Sequence, residues 1–305
     1  MDLSNVNGQI WLDGEWVDWS EAKVHVLTHT LHYGVGVFEG VRAYSSPQGT
    51  SIFRLKDHTE RLFSSAKTVN LPMQFSKEEL NLAQVEVIKR NKLKEAYIRP
   101  MCFYGSEGMG LRADNLKVHT IIAAWEWPSY MSPEATEKGI NVKISDYKRQ
   151  VRNPVSSAKV NGNYVNSIVA LNEVLNEGYD EALMLDLEGY IAEGSGENFF
   201  VVKNKELHTP DLDACLDGIT RKSIIDLAKQ KGINTVVRKI MPHEIKDIDE
   251  AFFTGTAAEV VPIRAIDSNH VGSGKRGEVT EILQKTYYEQ VRGLRSEFQD
   301  WHTYI

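Results

Sequence analysis

Ser157-Ala158-Lys159-Val160-Asn161-Gly162-Asn163-Tyr164 sets one lysine among small and polar side chains, just ahead of a helical pattern. A lone lysine is most often a solvated surface group, and on spacing alone that is the commoner reading. A lysine directed into a pocket forms a Schiff base instead, once desolvation leaves its amine neutral. Small neighbours leave room there for a bulky cofactor. The choice depends on what surrounds this stretch in the chain.

Before it, the chain alternates strands and helices. Asp13-Gly14 is a two-residue hairpin signal between apolar runs at 8–12 and 15–17. Residues 57–70 read as a helix capped by Asp57, with Glu60 closing a capping box and Leu62, Phe63, Ala66 and Val69 on the apolar face. Ser76 and Glu79 repeat that start signal for a helix burying Leu80, Ala83, Val87 and Ile88. Strands follow at 96–104 and 118–127, which makes a sheet with helices on one side. The proline- and serine-rich stretch 128–133 reads as a linker. Beyond Gly139 strands become more numerous, at 142–145, 182–186, 198–202, 235–240 and 251–254. Glu188-Gly189 and Asn204-Lys205 read as turns between some of them. Helices are expected at 163–176, 220–231 (ended by Gly232) and 278–298. The expected fold class is α+β. A small α/β sandwich domain spans 1–128, an interdomain linker 129–137, and a larger β-rich pseudo-barrel domain with helices 138–305.

Composition narrows the function. The net charge of -7, with basic residues interspersed among acidic ones, excludes a nucleic-acid partner. No run of about 18 apolar residues is present, so no membrane span is expected. Cys102 and Cys215 form no disulfide or zinc pattern, which points to a reduced, cytoplasmic protein. The nine histidines show no ligand spacing, so no metal is expected. The glycines of Tyr33-Gly34-Val35-Gly36-Val37-Phe38-Glu39-Gly40 miss the dinucleotide spacing, and no lysine-serine or lysine-threonine pair follows for a P-loop. Gly194-Ser195-Gly196 lacks the spacing of a serine-nucleophile elbow.

Three further stretches can serve a flat anionic ligand. Glu193-Gly194-Ser195-Gly196-Glu197-Asn198 puts a carboxylate before small residues and a strand, where a ligand can approach the backbone closely. Asp217-Gly218-Ile219-Thr220-Arg221 opens a helix whose first amides suit a phosphate. Thr254-Gly255-Thr256-Ala257-Ala258-Glu259 is a small-residue turn after an apolar strand. Each has an ordinary structural alternative: a bulged strand connection, a plain helix start, a tight turn.

Taken in order, these stretches resemble the fold-type IV pyridoxal-phosphate enzymes, most closely the branched-chain amino acid aminotransferases. The resemblance spans nearly the whole chain: 33–42, 58–61, Tyr97-Ile98-Arg99-Pro100, Gly108-Met109-Gly110, 159–164, 193–198, 218–221 and 254–259. It implies pyridoxal 5'-phosphate as cofactor, with Lys159 as its Schiff-base lysine and proton shuttle. The implied reaction is ping-pong transamination of leucine, isoleucine or valine with 2-oxoglutarate (EC 2.6.1.42), giving branched 2-oxo acids and L-glutamate. Glu193 matches the carboxylate paired with the pyridine nitrogen, and Tyr164 the group on the ring phenolate oxygen. Arg61, Ile219, Thr220 and Thr256 match the phosphate holders, and Leu216 the residue packed on the ring. Tyr33, Phe38, Gly40, Trp127 and Tyr130 match the substrate pocket. Arg99 matches the receiver of glutamate's second carboxylate; Tyr97 with Thr256 and Ala257 matches the α-carboxylate site. Met109 and Leu111 resemble a loop lent by a neighbouring subunit, which implies a homodimer as the minimal unit; a hexamer stays open. Asp217 departs from the family, standing where many relatives carry proline. D-Amino acid aminotransferases and aminodeoxychorismate lyases share the fold and remain alternatives.

Overall fold

The computed structural model describes residues 6–127 and 133–305. Tyr130 and most of the linker stretch lie outside them. Two compact units result. One comprises residues 1–128, 158–162 and 291–305; the other comprises 129–157 and 163–290.

The first unit is built on an eight-stranded sheet. Its strands are β1 (Gln9–Leu12), β2 (Glu15–Asp18), β3 (Gly36–Phe38), β4 (Val41–Ser46), β5 (Gly49–Phe53), β6 (Ala96–Tyr104), β7 (Val118–Glu126) and a C-terminal strand, His302–Tyr304. The β1–β2 turn has both central residues at positive φ, 52° at Asp13 and 97° at Gly14, as a two-residue hairpin turn of matching twist demands. Helices α1 (His29–Tyr33), α2 (Leu55–Thr68) and α3 (Lys77–Arg90) complete the unit. Leu62 and Ala66 of α2 and Leu80, Val87 and Ile88 of α3 pack with Val41, Ile52, Ile98 and Ile122 of the sheet in one core.

The start of α3 is the expected capping box: Ser76 Oγ accepts from Glu79 N–H, and the Glu79 carboxylate accepts from Ser76 N–H. The start of α2 differs from expectation. The helix begins at Leu55, with Arg54 in the left-handed region at its N-cap, and Asp57 is no cap. Its carboxylate accepts from Arg54 Nε at 2.6 Å, while Glu60 pairs with Lys77. Leu55 is buried, so packing draws the helix start two residues earlier, and Asp57 becomes an acid in the first turn.

The second unit carries a nine-stranded sheet: β8 (Ile140–Ile144), β9 (Glu181–Leu185), β10 (Ile191–Gly194), β11 (Asn198–Lys203), β12 (Glu206–Thr209), β13 (Thr235–Val237), β14 (Glu250–Gly255), β15 (Glu259–Ile266) and β16 (Asn269–His270). The order runs β10-β9-β8-β15-β14-β11, and a further pairing of β10 with β11 closes these six strands into a ring. Closure removes the open edges and gives the barrel-like form. Its interior is filled by side chains such as Ile140, Val142, Leu183, Phe199, Val201, Phe253 and Val261. Helices α4 (Pro133–Lys138), α5 (Pro154–Ser157), α6 (Tyr164–Asn176), α7 (Ile219–Gln230) and α8 (Glu278–Val291) accompany it.

Three sequence expectations change here. Helix α8 ends at Val291 rather than 298, and Gly293 follows at a φ of 64°. The strand expected at 235–240 stops at Val237, where its parallel pairing with β12 ends and Arg238 turns to Glu244. Strand β15, which crosses Pro262, has no counterpart among the expected strands; Pro262 stands opposite Phe252 of β14. Among the described residues no helix is long and apolar enough to cross a membrane.

Candidate active site

The residues singled out from the sequence fall into two groups, one within each unit. In the first unit, the Lys159 segment is held like an added strand. Val160 bridges Val37 antiparallel, Phe38 N–H donates to the Lys159 carbonyl at 3.2 Å, and Lys159 N–H donates to Ser65 Oγ of α2 at 3.0 Å. Ala158 and Val160 are buried in the core, so strand alternation turns the intervening lysine to the other face. There its Nζ stands 4.8 Å from the centroid of the Phe38 ring. The Arg99 guanidinium lies over the same ring at 4.7 Å and 5.3 Å from the Tyr97 ring, with Nη2 donating to Tyr97 Oη at 3.4 Å. Arg99 Nε is buried and has no hydrogen-bond partner among the described residues. Tyr97 also packs on Trp127, with ring centroids 4.7 Å apart. The chain passes this cluster at Gly40, where a Cβ would stand 1.8 Å from Tyr97 Oη.

Arg61, expected at a phosphate, turns the edge formed by Nε and Nη2 onto the Glu39 carboxylate, at 2.7 and 2.9 Å. Tyr33 is half-exposed on α1, and its hydroxyl accepts from Gly110 N–H at 3.0 Å. His29 Nε2 contacts the Gly110 carbonyl at 2.7 Å. The neighbouring Met109 and Leu111 are exposed, Leu111 at 90%.

In the second unit, Glu193 is buried on β10, opposite Asn198 of β11 at the pairing that closes the ring. Arg149 Nη2 meets its Oε1 at 2.8 Å; Asn198 Nδ2 and Leu216 N–H donate to its Oε2 at 3.1 and 3.0 Å. Asn198 Nδ2 also donates to the Leu216 carbonyl at 2.9 Å. Arg149 is itself fixed by the carbonyls of Ala214 and Ser156. These contacts hold the Glu193 carboxylate in one orientation. Gly218 is the N-cap of α7, and a Cβ there would stand 1.8 Å from Asn198 Oδ1. The first intrahelical bond runs from Lys222 N–H to the Gly218 carbonyl, so the amides of Ile219 and Thr220 precede the ladder. Thr256 and Ala257 form the half-buried turn between β14 and β15, and Tyr164 opens α6.

No local sequence pattern assigns a role to Glu39, Arg149 or Asn198, although their contacts orient Arg61 and Glu193. Glu39 alone left a trace: a charge inside the otherwise apolar or small run 35–41. Among the described residues no cluster of His, Cys, Asp and Glu is placed to hold a metal.

The Amino-transferase class IV profile matches residues 36–266. The chain is 54% identical to a branched-chain-amino-acid aminotransferase of Pseudomonas aeruginosa over the full length of both, and 42% identical to that of Escherichia coli K12 over 96% of each. A crystal structure of a T.th. branched-chain amino acid aminotransferase with pyridoxamine 5'-phosphate superimposes with a TM-score of 0.95 at 43% identity, covering 98% of this chain and 99% of that one. The chain belongs to the class IV aminotransferases, among the branched-chain amino acid aminotransferases.

Proposed function

We propose that this enzyme transfers the amino group of leucine, isoleucine or valine to 2-oxoglutarate, with pyridoxal 5'-phosphate as cofactor. The observation that carries the reading is the Phe38 ring, which has the Lys159 amine near it and the Arg99 guanidinium over it. An apolar face suits a branched aliphatic side chain, gaining roughly 25 cal/mol per Å² buried. A guanidinium at the same ring suits the second carboxylate of glutamate. One pocket thus takes both substrates in turn.

The residues fit the cofactor on two grounds. Glu193 is a buried carboxylate held by Arg149, Asn198 and the Leu216 N–H, which suits it as the partner of a protonated pyridine nitrogen. The Ile219 and Thr220 amides open α7, which suits a phosphate dianion, with Arg61 and Thr256 as further holders. Leu216 would pack on the ring, and Tyr164 would bond its phenolate oxygen. When bound, the cofactor supplies an aldehyde for the amino group and a ring that takes up electrons as the Cα–H bond breaks. Lys159 Nζ takes the proton from the substrate Cα and later returns one. Arg99 holds the side-chain carboxylate of glutamate, and Tyr97 with Thr256 and Ala257 orients the α-carboxylate.

We infer further that two copies pair. Val26, Leu31 and Leu111 are exposed at 75%, 65% and 90%, beside the loop that His29 and Tyr33 clip at Gly110. Both cysteines are buried free thiols, in keeping with the cytoplasm.

The test follows the absorbance of purified protein. L-Leucine without a 2-oxo acid should bleach the cofactor band, 2-oxoglutarate should restore it, and Lys159→Ala should abolish both changes. A response to D-alanine but not L-leucine would assign a D-amino acid aminotransferase instead. A protein that takes up no pyridoxal phosphate would end the proposal.

A further inference from the structure

Glu39 has no exposed surface, yet its carboxylate is paired with the Arg61 guanidinium. Its Oε1 accepts from Arg61 Nε at 2.7 Å; its Oε2 accepts from Arg61 Nη2 at 2.9 Å and meets His58 Nδ1 at 2.7 Å. His58 and Arg61 lie three residues apart on α2, so both reach the acid from one helix face. Burial alone would push the Glu39 carboxyl up. The Arg61 guanidinium and the bonds from both partners outweigh burial and hold the carboxyl far below the usual carboxylate range. Burial pushes His58 down, keeping it neutral. The cluster is therefore one anion and one cation around a neutral imidazole. Such a pair adds little net stability over an apolar replacement but imposes orientation strongly.

What it orients is the site. Four residues beyond Arg61 on the same helix, Ser65 Oγ accepts the Lys159 N–H. The Lys159 carbonyl accepts Phe38 N–H, and Glu39 N–H donates to the Pro100 carbonyl, beside Arg99. Glu39, Arg61, Ser65, Lys159 and Phe38 thus form a closed circuit of contacts, in which Glu39 supplies the charged link. We propose that Glu39 is a positioning residue for cofactor binding: it fixes the plane of the Arg61 guanidinium for the cofactor's phosphate and ties α2 to the segment bearing Lys159. This rests on the reading of Arg61 as a phosphate holder.

The test strips the full-length protein of cofactor and titrates it with pyridoxal phosphate and with pyridoxal, which lacks the phosphate, following absorbance. Glu39→Gln should weaken pyridoxal phosphate by about tenfold or more and pyridoxal by less than about threefold, as expected when a charge-assisted contact is misdirected. Glu39→Asp, which keeps the charge, should recover part of the loss. Arg61→Gln should show the same phosphate-selective loss, and adding Glu39→Gln to it should cost little more. If Arg61→Gln is unselective, the phosphate reading fails and the proposal with it. If Arg61→Gln is selective while Glu39→Gln weakens neither ligand, or both alike, the proposal alone is overturned. Should Glu39→Gln not fold, Glu39→Asp decides: a phosphate-selective loss supports the proposal, and none overturns it.

Discussion

His58 links the buried cluster to acid stability. Its imidazole is held below its ordinary value of 6.5, first by burial, then by the Arg61 and Lys159 charges, against the opposing pull of Glu39. A lowered histidine means that the folded chain resists a proton the unfolded chain accepts. Its share of stability is then complete above pH 6.5 and falls as the pH drops below that. Glu39, also lowered, acts with the same sign from about 4.5 downward, so the two effects separate along the pH axis. His58→Asn keeps a donor near Glu39 but cannot titrate. Its melting temperature should fall less steeply than the parent's between pH 7 and 5.5, with the residual slope owed in part to His208, itself lowered by burial. Parallel slopes for parent and variant would show that His58 does not titrate in this way.

At the scale of elements, the proposed phosphate site ties the local structure at the start of α7 to chemistry. Gly218 has an ordinary φ of -68°, so alanine there meets no backbone strain. The obstacle is Asn198, whose Oδ1 would lie 1.8 Å from the new Cβ. Gly218→Ala should therefore fold, displace Asn198 from Glu193 and the Leu216 carbonyl, and weaken cofactor affinity by about tenfold, the worth of one charge-assisted contact. Unchanged affinity on titration would detach this helix start from cofactor binding. Legibility follows the same division between near and far. The Ser76–Glu79 box and the Asp13-Gly14 turn lie within four residues, so their signals survive in the sequence. The Asp57 cap fails because the burial of Leu55, a tertiary fact, moves the helix start. Strand β15 hides behind Pro262, and its partners β8 and β14 include one far off in the chain. The reading of Lys159 rests only on its ordered company of motifs, whereas the contacts of Glu39, Arg149 and Asn198 are ones that no local pattern encodes.

For the whole molecule, the decisive question is what covers the apolar residues around α1. His29 and Tyr33 clip Gly110 from two sides, so the flanking Met109 and Leu111 project outward on a backbone pinned at its centre. Val24, Val26, Leu27 and Leu31 add exposed apolar side chains from the segment leading into and forming α1. We read this exposed apolar set as an association surface, and a net charge of -7 does not prevent like copies from meeting where the contact itself carries few charges. We expect the parent protein to sediment as a dimer or a multiple of one. Placing a carboxylate on this surface with Leu31→Glu should shift it toward monomer at micromolar concentration, because an unpaired charge buried at a contact costs several kcal/mol. Activity should fall with the dimer fraction and recover at high protein concentration, which separates lost association from lost folding. A parent that sediments as a monomer while fully active would rule out the paired state.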